Sequence, residues 1–403
     1  MHVIAGSTAL RILRALRCPG CYEGFVPLPN PSLPVRRVVL PDQIKPFSRP
    51  FADSSASSRL PGECADHEST LADEGFSPEC ALAARRLDFA RFHGLGDFSQ
   101  EEKLELGVFD ASKRIHIKTV KTCLLSLKLP AGSLISIDHD LYVICPELVV
   151  IQIAGRSDVD AIDLAQIIME LCGTYSLYPS LEKEARSCSC SYGLQPVMAI
   201  ATLRKYMQQT RLTKKGRQTL SAALCLVCEG SASPAETGLA LMLSRAVDCG
   251  GYGFGSPLCN ARLDFPDDMT EYASCGHYTI DLFWQDCLAG IEYESATFHF
   301  DPLAGLPREG LTWGQVDAWR ASFIRKAELD RRRLREIQAT GVQILPVVGS
   351  DLANLSALDR VAWALAYRQE DWCGVAASDH FSLLDRRRTR LMREVLRRRL
   401  FVW

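Results

Sequence analysis

The sequence predicts a mixed α/β protein. Its C-terminal half follows the order α-β-β-β-α-β, with a smaller α/β unit before it and a Pro/Ser-rich region at the start. Three observations predict this. Short stretches such as "HYTIDLFW" and "LAGIEYES" alternate with the two-residue period of strands. Ser233, Pro234 and Glu236 in "SASPAETGLALML" supply the N-cap, first-turn proline and capping-box acid of a helix. Ten of the 20 prolines precede residue 80, with the serine-rich "SSASSRLPGE" among them.

Residues 1–105 read as a loosely structured region with short helices at its ends. Residues 106–185 read as a small α/β unit. There "RIHIKTV", "LLSLKLP" and "SLISIDHDLYVI" alternate as strands. Pro146 opens a helix in "PELVVIQIAG", and a second helix, "VDAIDLAQIIMELCG", is closed by Gly173. Residues 186–230 form a linker and helices with basic faces. Residues 231–350 hold the helix opened by Ser233, the strands "NARLDF", "HYTIDLFW" and "LAGIEYES", a Gly/Pro-rich loop, a helix over 313–340 and the strand "VQILPVV". Residues 351–403 read as helices ending in an arginine-rich tail. No internal repeat is visible.

Composition bounds the function. At 403 residues, 47% hydrophobic and 23% charged, the chain is long enough for two or three domains with a sizeable core. A net charge of −2 gives no global attraction to nucleic acid, so any basic footprint is local. No apolar run is long enough to span a membrane. The start lacks the basic, apolar and small-residue order of a signal peptide, which predicts a cytoplasmic protein. The 16 cysteines are scattered, many in apolar runs such as "LYVIC", as buried free thiols are. Cys18 with Cys21, and Cys225 with Cys228, have the spacing of structural zinc pairs, but the second pair falls in an apolar helical pattern.

The stretch "DLFWQDCLAGIEYES" gathers Asp281, Glu292 and Glu294 with no basic residue in the run. A turn at Asp286-Cys287 pairs Asp281 directly with Glu292, and Glu294 falls on the same face as Glu292. Like charges placed opposite one another are destabilising. A hard cation, Mg²⁺ or Mn²⁺, would neutralise them. A solvated face of ordinary surface acids is the alternative.

The D-x10-E-x-E run on the second and third strands of an α-β-β-β-α-β unit resembles the PD-(D/E)XK nuclease superfamily. It is most similar to the branch of the very-short-patch repair endonucleases. Glu292, Glu294, Ser295 and His299 fit that branch, as do Asp330, Arg333, Gly341 and "VQILPVV". "GSASPAETGLALML", "GGYGFGSPLCNARL" and "PAGSLISIDHDLYVICPELVVIQIA" also resemble stretches of actinobacterial proteins carrying such a domain. The resemblance covers roughly Arg114 to Val348. It departs in one place: Glu294 stands where the superfamily has Lys and the branch more often has Asp.

The resemblance implies a DNA endonuclease serving repair, restriction or a toxin-like system. Asp281 and Glu292 would bind the metal with the Tyr293 carbonyl. Glu294 would be a further ligand or the general base. His299 would orient water or contact phosphate, or else be a surface histidine. Glu236 would be either a fourth metal-side acid or simply the capping-box residue. Arg333 would hold a phosphate, or pair with Asp330 three residues back. The competing functions are a catalytically inactive DNA-binding or regulatory protein that keeps the nuclease fold, and an antitoxin-like interaction protein.

The tail "DRRRTRLMREVLRRR" supplies the local basic patch, with Arg386, Arg387, Arg390 and Arg397 as expected nucleic-acid contacts. Its other reading is a solvated helix docked by the stripe Leu391, Val395 and Leu400.

Overall fold

The computed structural model describes residues 2–18, 35–40, 103–126, 128–138, 141–177, 190–267, 269, 273–294, 313–374 and 376–401. These fall into two compact units, each with its own sheet.

The first unit carries a five-stranded sheet in the order β3-β2-β1-β5-β4. Its strands are β1 (His2–Ile4), β2 (Leu104–Val108), β3 (Val120–Leu124), β4 (Leu134–Asp138) and β5 (Leu141–Ile144). β1 is central. It runs antiparallel to β2 and parallel to β5. Helix α1 (Gly6–Arg17) follows β1 directly, and α2 (Pro146–Ala154) and α3 (Ala161–Leu171) follow β5. Then come β6 (Tyr175–Leu177) and β7 (Cys190–Tyr192), which pair, and helices α4 (Ile200–Gln209) and α5 (Lys214–Leu224).

Three expectations for this part change. The start of the chain carries a short helix as the sequence predicts, but it is not loosely packed: β1 and α1 are buried, with Ile4, Ala9, Ile12 and Leu13 at 0% exposure. The apolar pattern of "HVIAGSTALRILRAL" is a strand and an amphipathic helix, which the neighbouring prolines obscure. "RIHIKTV" is not a strand either. Its residues alternate in exposure, but only Val120, the first residue of β3, joins a ladder, and Ile117 accepts the Val120 N–H in a turn that leads into β3; of "LLSLKLP" only Leu124 lies in that strand. Pro146 and the two helices after it lie where the sequence places them.

Gly6 shows how tightly the β1–α1 junction is built. Its φ is +56, a region glycine enters at no steric cost. A Cβ there would lie 1.5 Å from Oε2 of Glu105. The Glu105 carboxylate, 4% exposed, accepts the Ser7 N–H at 2.7 Å and pairs with Lys121 at 2.6 Å and Arg156 at 3.3 Å. The buried charge is thus satisfied by a helix N-terminus and two cations.

The second unit carries the four-stranded sheet β11-β10-β9-β8. Helix α6 (Pro234–Ser244) precedes β8 (Leu258–Asp264), β9 (His277–Trp284) and β10 (Ala289–Glu294). The long helix α7 (Trp313–Ala339) and β11 (Gln343–Val348) follow. The observed order is therefore α-β-β-β-α-β. β8, β9 and β10 are antiparallel neighbours, and β11 returns parallel to β10. Pro346 sits in the middle of β11, the last strand, opposite Glu292. A proline has no N–H to give, which confines it to such a strand.

Residues 35–40 also belong here. Val38 donates to the Arg262 carbonyl at 2.8 Å, and Arg262 donates to Arg36 at 2.7 Å. Val38 and Leu40 join Ala261, Leu263, Ile280, Phe283, Ile337 and Ile344 in one core. Helices α8 (Gly349–Ala353), α9 (Leu355–Cys373), α10 (Ala377–Leu384) and α11 (Arg387–Phe401) complete the unit. Phe401 of α11 lies against Gly238 of α6, where a Cβ would meet its ring at 2.5 Å.

Candidate functional site at a fork between two strands

The β9–β10 register is the one the sequence predicts. Trp284 pairs with Ala289 and Leu282 with Ile291, although the connection is four residues long, Gln285 to Leu288. The next pair would be Asp281 with Glu292. There the ladder stops. Beyond it, residues 277–280 of β9 pair only with β8, and Glu292, Tyr293 and Glu294 pair only with β11. The sheet divides, and the two acids stand at the point of division.

Three interactions hold the fork. The Asp281 carboxylate takes the Tyr293 N–H at 2.8 Å, replacing a carbonyl the ladder no longer offers. Arg333 of α7 places one nitrogen, Nη2, 2.8 Å from Oε1 of Glu292 and 2.5 Å from the carbonyl oxygen of Thr279. It so bridges β10 and β9. Tyr278 fixes the helix that delivers it: the guanidinium lies 5.4 Å from the ring centroid, and the phenol donates to Glu336 at 2.8 Å.

Glu236 comes from α6. The Ser233 side chain accepts the Glu236 N–H at 3.1 Å and donates to its Oε1 at 2.9 Å, while Oε2 accepts from Ala232 at 2.8 Å. Ser233 is the N-cap the sequence predicts, while the Glu236 carboxylate closes back on the Ser233 hydroxyl and the Ala232 N–H rather than on the N-cap N–H of a capping box. Oε2 also accepts from the Asn260 side chain at 3.1 Å. Asn260 lies in β8 between the residues paired with Leu282 and Ile280, across from Asp281, with φ at +49. That left-handed kink, which asparagine tolerates better than most residues, frees its side chain for Glu236.

The electrostatics tie the three acids together. Burial first, and then the Asp281 charge, push Glu236 up to about 7. Burial, again reinforced by Asp281, pushes Glu292 up to about 8 against the pull of Arg333. Buried carboxyls that share a site shift in this direction.

Glu294 is not part of this group, and its expected convergence with Asp281 and Glu292 on one ion is not seen. It lies two residues beyond the fork, paired with Val348, so β10 has carried it away from β9. Among the described residues, no three His, Cys, Asp or Glu side chains come together as a metal cage. Arg333 pairs with Glu292 across the sheet, not with Asp330 on its own helix. His299 lies outside the described residues.

The arginine helix fits each reading only in part: Leu400 of the expected stripe is buried. Leu391 and Val395 are exposed, at 61% and 69%, while Arg393 and Arg397 are buried. Arg393 sits over the Tyr252 ring at 5.3 Å, donates to the Leu384 carbonyl at 2.9 Å and lies 3.3 Å from Asp359. Arg397 donates to the Leu352 carbonyl and pairs with Glu394 at 2.7 Å. Arg397 is therefore a structural residue and not a nucleic-acid contact. Arg386, Arg387 and Arg390 are exposed. Cys21 lies outside the described residues, and the second cysteine pair shows no zinc geometry: α5 ends at Leu224, Cys225 is exposed, and Cys228 faces Cys259.

Compared with protein-family models, curated proteins and solved structures, the chain matches none of them.

Proposed function

We propose that the second unit is a metal-dependent endonuclease of the PD-(D/E)XK type, acting on DNA phosphodiester bonds at the β9–β10 fork. The observation that carries this is the crowding of Glu236, Asp281 and Glu292 where β9 and β10 part, with Arg333 paired to Glu292. Acids raised in pKa first by burial and then by a neighbouring charge are a functional-site signature. The α-β-β-β-α-β order supports the same reading.

The donor set fits Mg²⁺ or Mn²⁺. It is all oxygen, and a hard cation of this kind needs only one or two protein carboxylates, here Asp281 and Glu292. When bound, such an ion polarises a phosphodiester and acidifies its water. The chain's own groups supply the rest. Asp281 stays anchored to the Tyr293 N–H, which fixes its second oxygen relative to Glu292. Arg333, one third exposed, gives up Glu292 and turns its charge to the incoming phosphate. Glu236, held by four hydrogen bonds, sets the local charge without leaving its cap.

A second reading follows from Arg333 itself. A guanidinium already seated on Glu292 satisfies that acid without any ion, as a DNA-binding protein that keeps a silent nuclease fold would do. Incubation with supercoiled plasmid, single-stranded DNA and RNA in Mg²⁺ or Mn²⁺ separates the two. Nicking by the wild type and not by Glu292→Gln supports the nuclease. Retarded DNA without cleavage supports the silent form. Equal nicking by both proteins removes the fork from the reaction.

A further inference from the structure

A second feature of the same unit concerns sulfur. Cys228, in the segment that enters α6, and Cys259, in β8, have their Sγ atoms 2.7 Å apart. Both are free thiols and both are buried, at 8% and 0% exposure. Thirty-one positions separate them in the chain. The backbone around them is held from several sides. Gly230 donates to the Cys172 carbonyl at 3.0 Å, the Asn260 side chain donates to the Gly230 carbonyl at 2.7 Å, and Arg36 pairs with Glu229 at 2.9 Å. Two sulfurs fixed this closely need little movement to reach a bond of about 2.05 Å.

We propose that Cys228 and Cys259 form a peroxide-driven modification site, oxidised reversibly to a disulfide that ties the α6 entry segment to β8. Cys228, the more accessible sulfur, attacks one oxygen of hydrogen peroxide. The O–O bond breaks, water leaves, and Cys228 becomes a sulfenic acid. The Cys259 sulfur then gives up its proton and attacks the Cys228 sulfur, and the hydroxyl departs with that proton as a second water. Two thiols and one peroxide become one disulfide and two waters. The link falls at the residue beside Asn260 and six positions before Pro234, so it fastens the two segments that present Asn260 and Glu236 to each other.

The test uses the full-length protein, reduced, desalted and exposed to hydrogen peroxide at a dose that oxidises the exposed Cys225 and Cys249. It is then alkylated in denaturant and digested without reductant. The expected product is a cross-link between Cys228 and Cys259, placed by fragment spectra and lost after dithiothreitol. The oxidised protein should melt several degrees above the reduced one, because the link constrains the unfolded chain. Cys228→Ser should show neither the link nor the shift. If that variant does not fold, mapping of the wild type decides alone. Recovery of both thiols alkylated after that dose, or a link from Cys228 to Cys225, overturns the proposal.

Discussion

One nitrogen of Arg333 serves Glu292 at 2.8 Å and the Thr279 carbonyl at 2.5 Å, so a single guanidinium closes the gap where β9 and β10 part. Removing it leaves a buried acid without its cation and a carbonyl without its donor. Arg333→Gln should lower stability by about 1–2 kcal/mol, a moderate value because both groups retain some access to water. Combined with Glu292→Gln, the loss should be smaller than the sum of the single effects, as for any pair in direct contact. Urea melts of the four proteins measure this. Strict additivity would contradict the bridge.

The raised acids make stability depend on pH. Glu236 and Glu292 titrate near 7 and 8 in the folded chain, against 4.5 when unfolded. The folded state therefore binds more protons between those values. Their contribution is complete below about pH 4.5 and declines as pH rises through 7 and 8, at up to about 1.4 kcal/mol per unit for each group. Glu292→Gln should flatten the loss between pH 6 and 8. A melting temperature equally steep in both proteins would remove Glu292 as its cause.

A bound cation would reverse that trend. Mn²⁺ or Mg²⁺ stabilises only the folded site, so it should raise the wild-type melting temperature by mass action, most strongly above pH 7 where the acids are ionised. Asp281→Asn should be about as stable as wild type without metal and should lose most of the increase. Equal metal-induced shifts in the two proteins would end the case for a metal at the fork.

The two kinds of arginine in α11 should behave oppositely. Arg393→Met leaves Asp359 with only the Tyr252 hydroxyl and the Leu384 carbonyl without the arginine, and should cost about 3 kcal/mol. Replacing Arg386, Arg387 and Arg390 with Ala should stay within about 0.5 kcal/mol in stability. If they touch DNA, it should lower the salt slope of binding by about 0.9 for each phosphate no longer neutralised. Thermal melts and binding isotherms at several salt concentrations separate the two sets.

Gly6→Ala tests the first unit alone. The new methyl would collide with the Glu105 carboxylate in a backbone region costly for alanine, so a loss of about 3 kcal/mol or more is expected. A variant that melts with the wild type would show that Glu105 has room to move.

Much of the second unit was legible in the residues. The cap at Ser233, the alternation of β9 and β10, and the symmetry of the acids about Asp286-Cys287 follow from short-range rules, and the register obeys them. The fork was not legible. Where a ladder stops depends on the route of β8 and β11, and nothing in "IEYES" marks Glu294 as the residue carried away. The partner of Glu292 was hidden for the same reason, since α7 offers Asp330 to Arg333 at helical spacing while the fold offers Glu292. In α11 the expected stripe held only at Leu400, with Leu391 and Val395 turned outward. Arginines can be buried when carbonyls, a carboxylate and a ring face await them, and those acceptors come from other helices. At the start of the chain the short helix was legible, while the prolines after residue 18 hid the strand before it and the burial of both.

Pro346 has one further consequence. β11 is the outermost strand of its sheet, and the rim of a sheet is where a foreign strand can add itself and seed fibrous growth. At the centre of that rim stands a residue with no hydrogen to donate. A second copy presenting an extended segment would find its run of bonds interrupted there. Replacing this proline by valine would suit the strand better locally, yet would turn a blunt margin into a template for self-assembly.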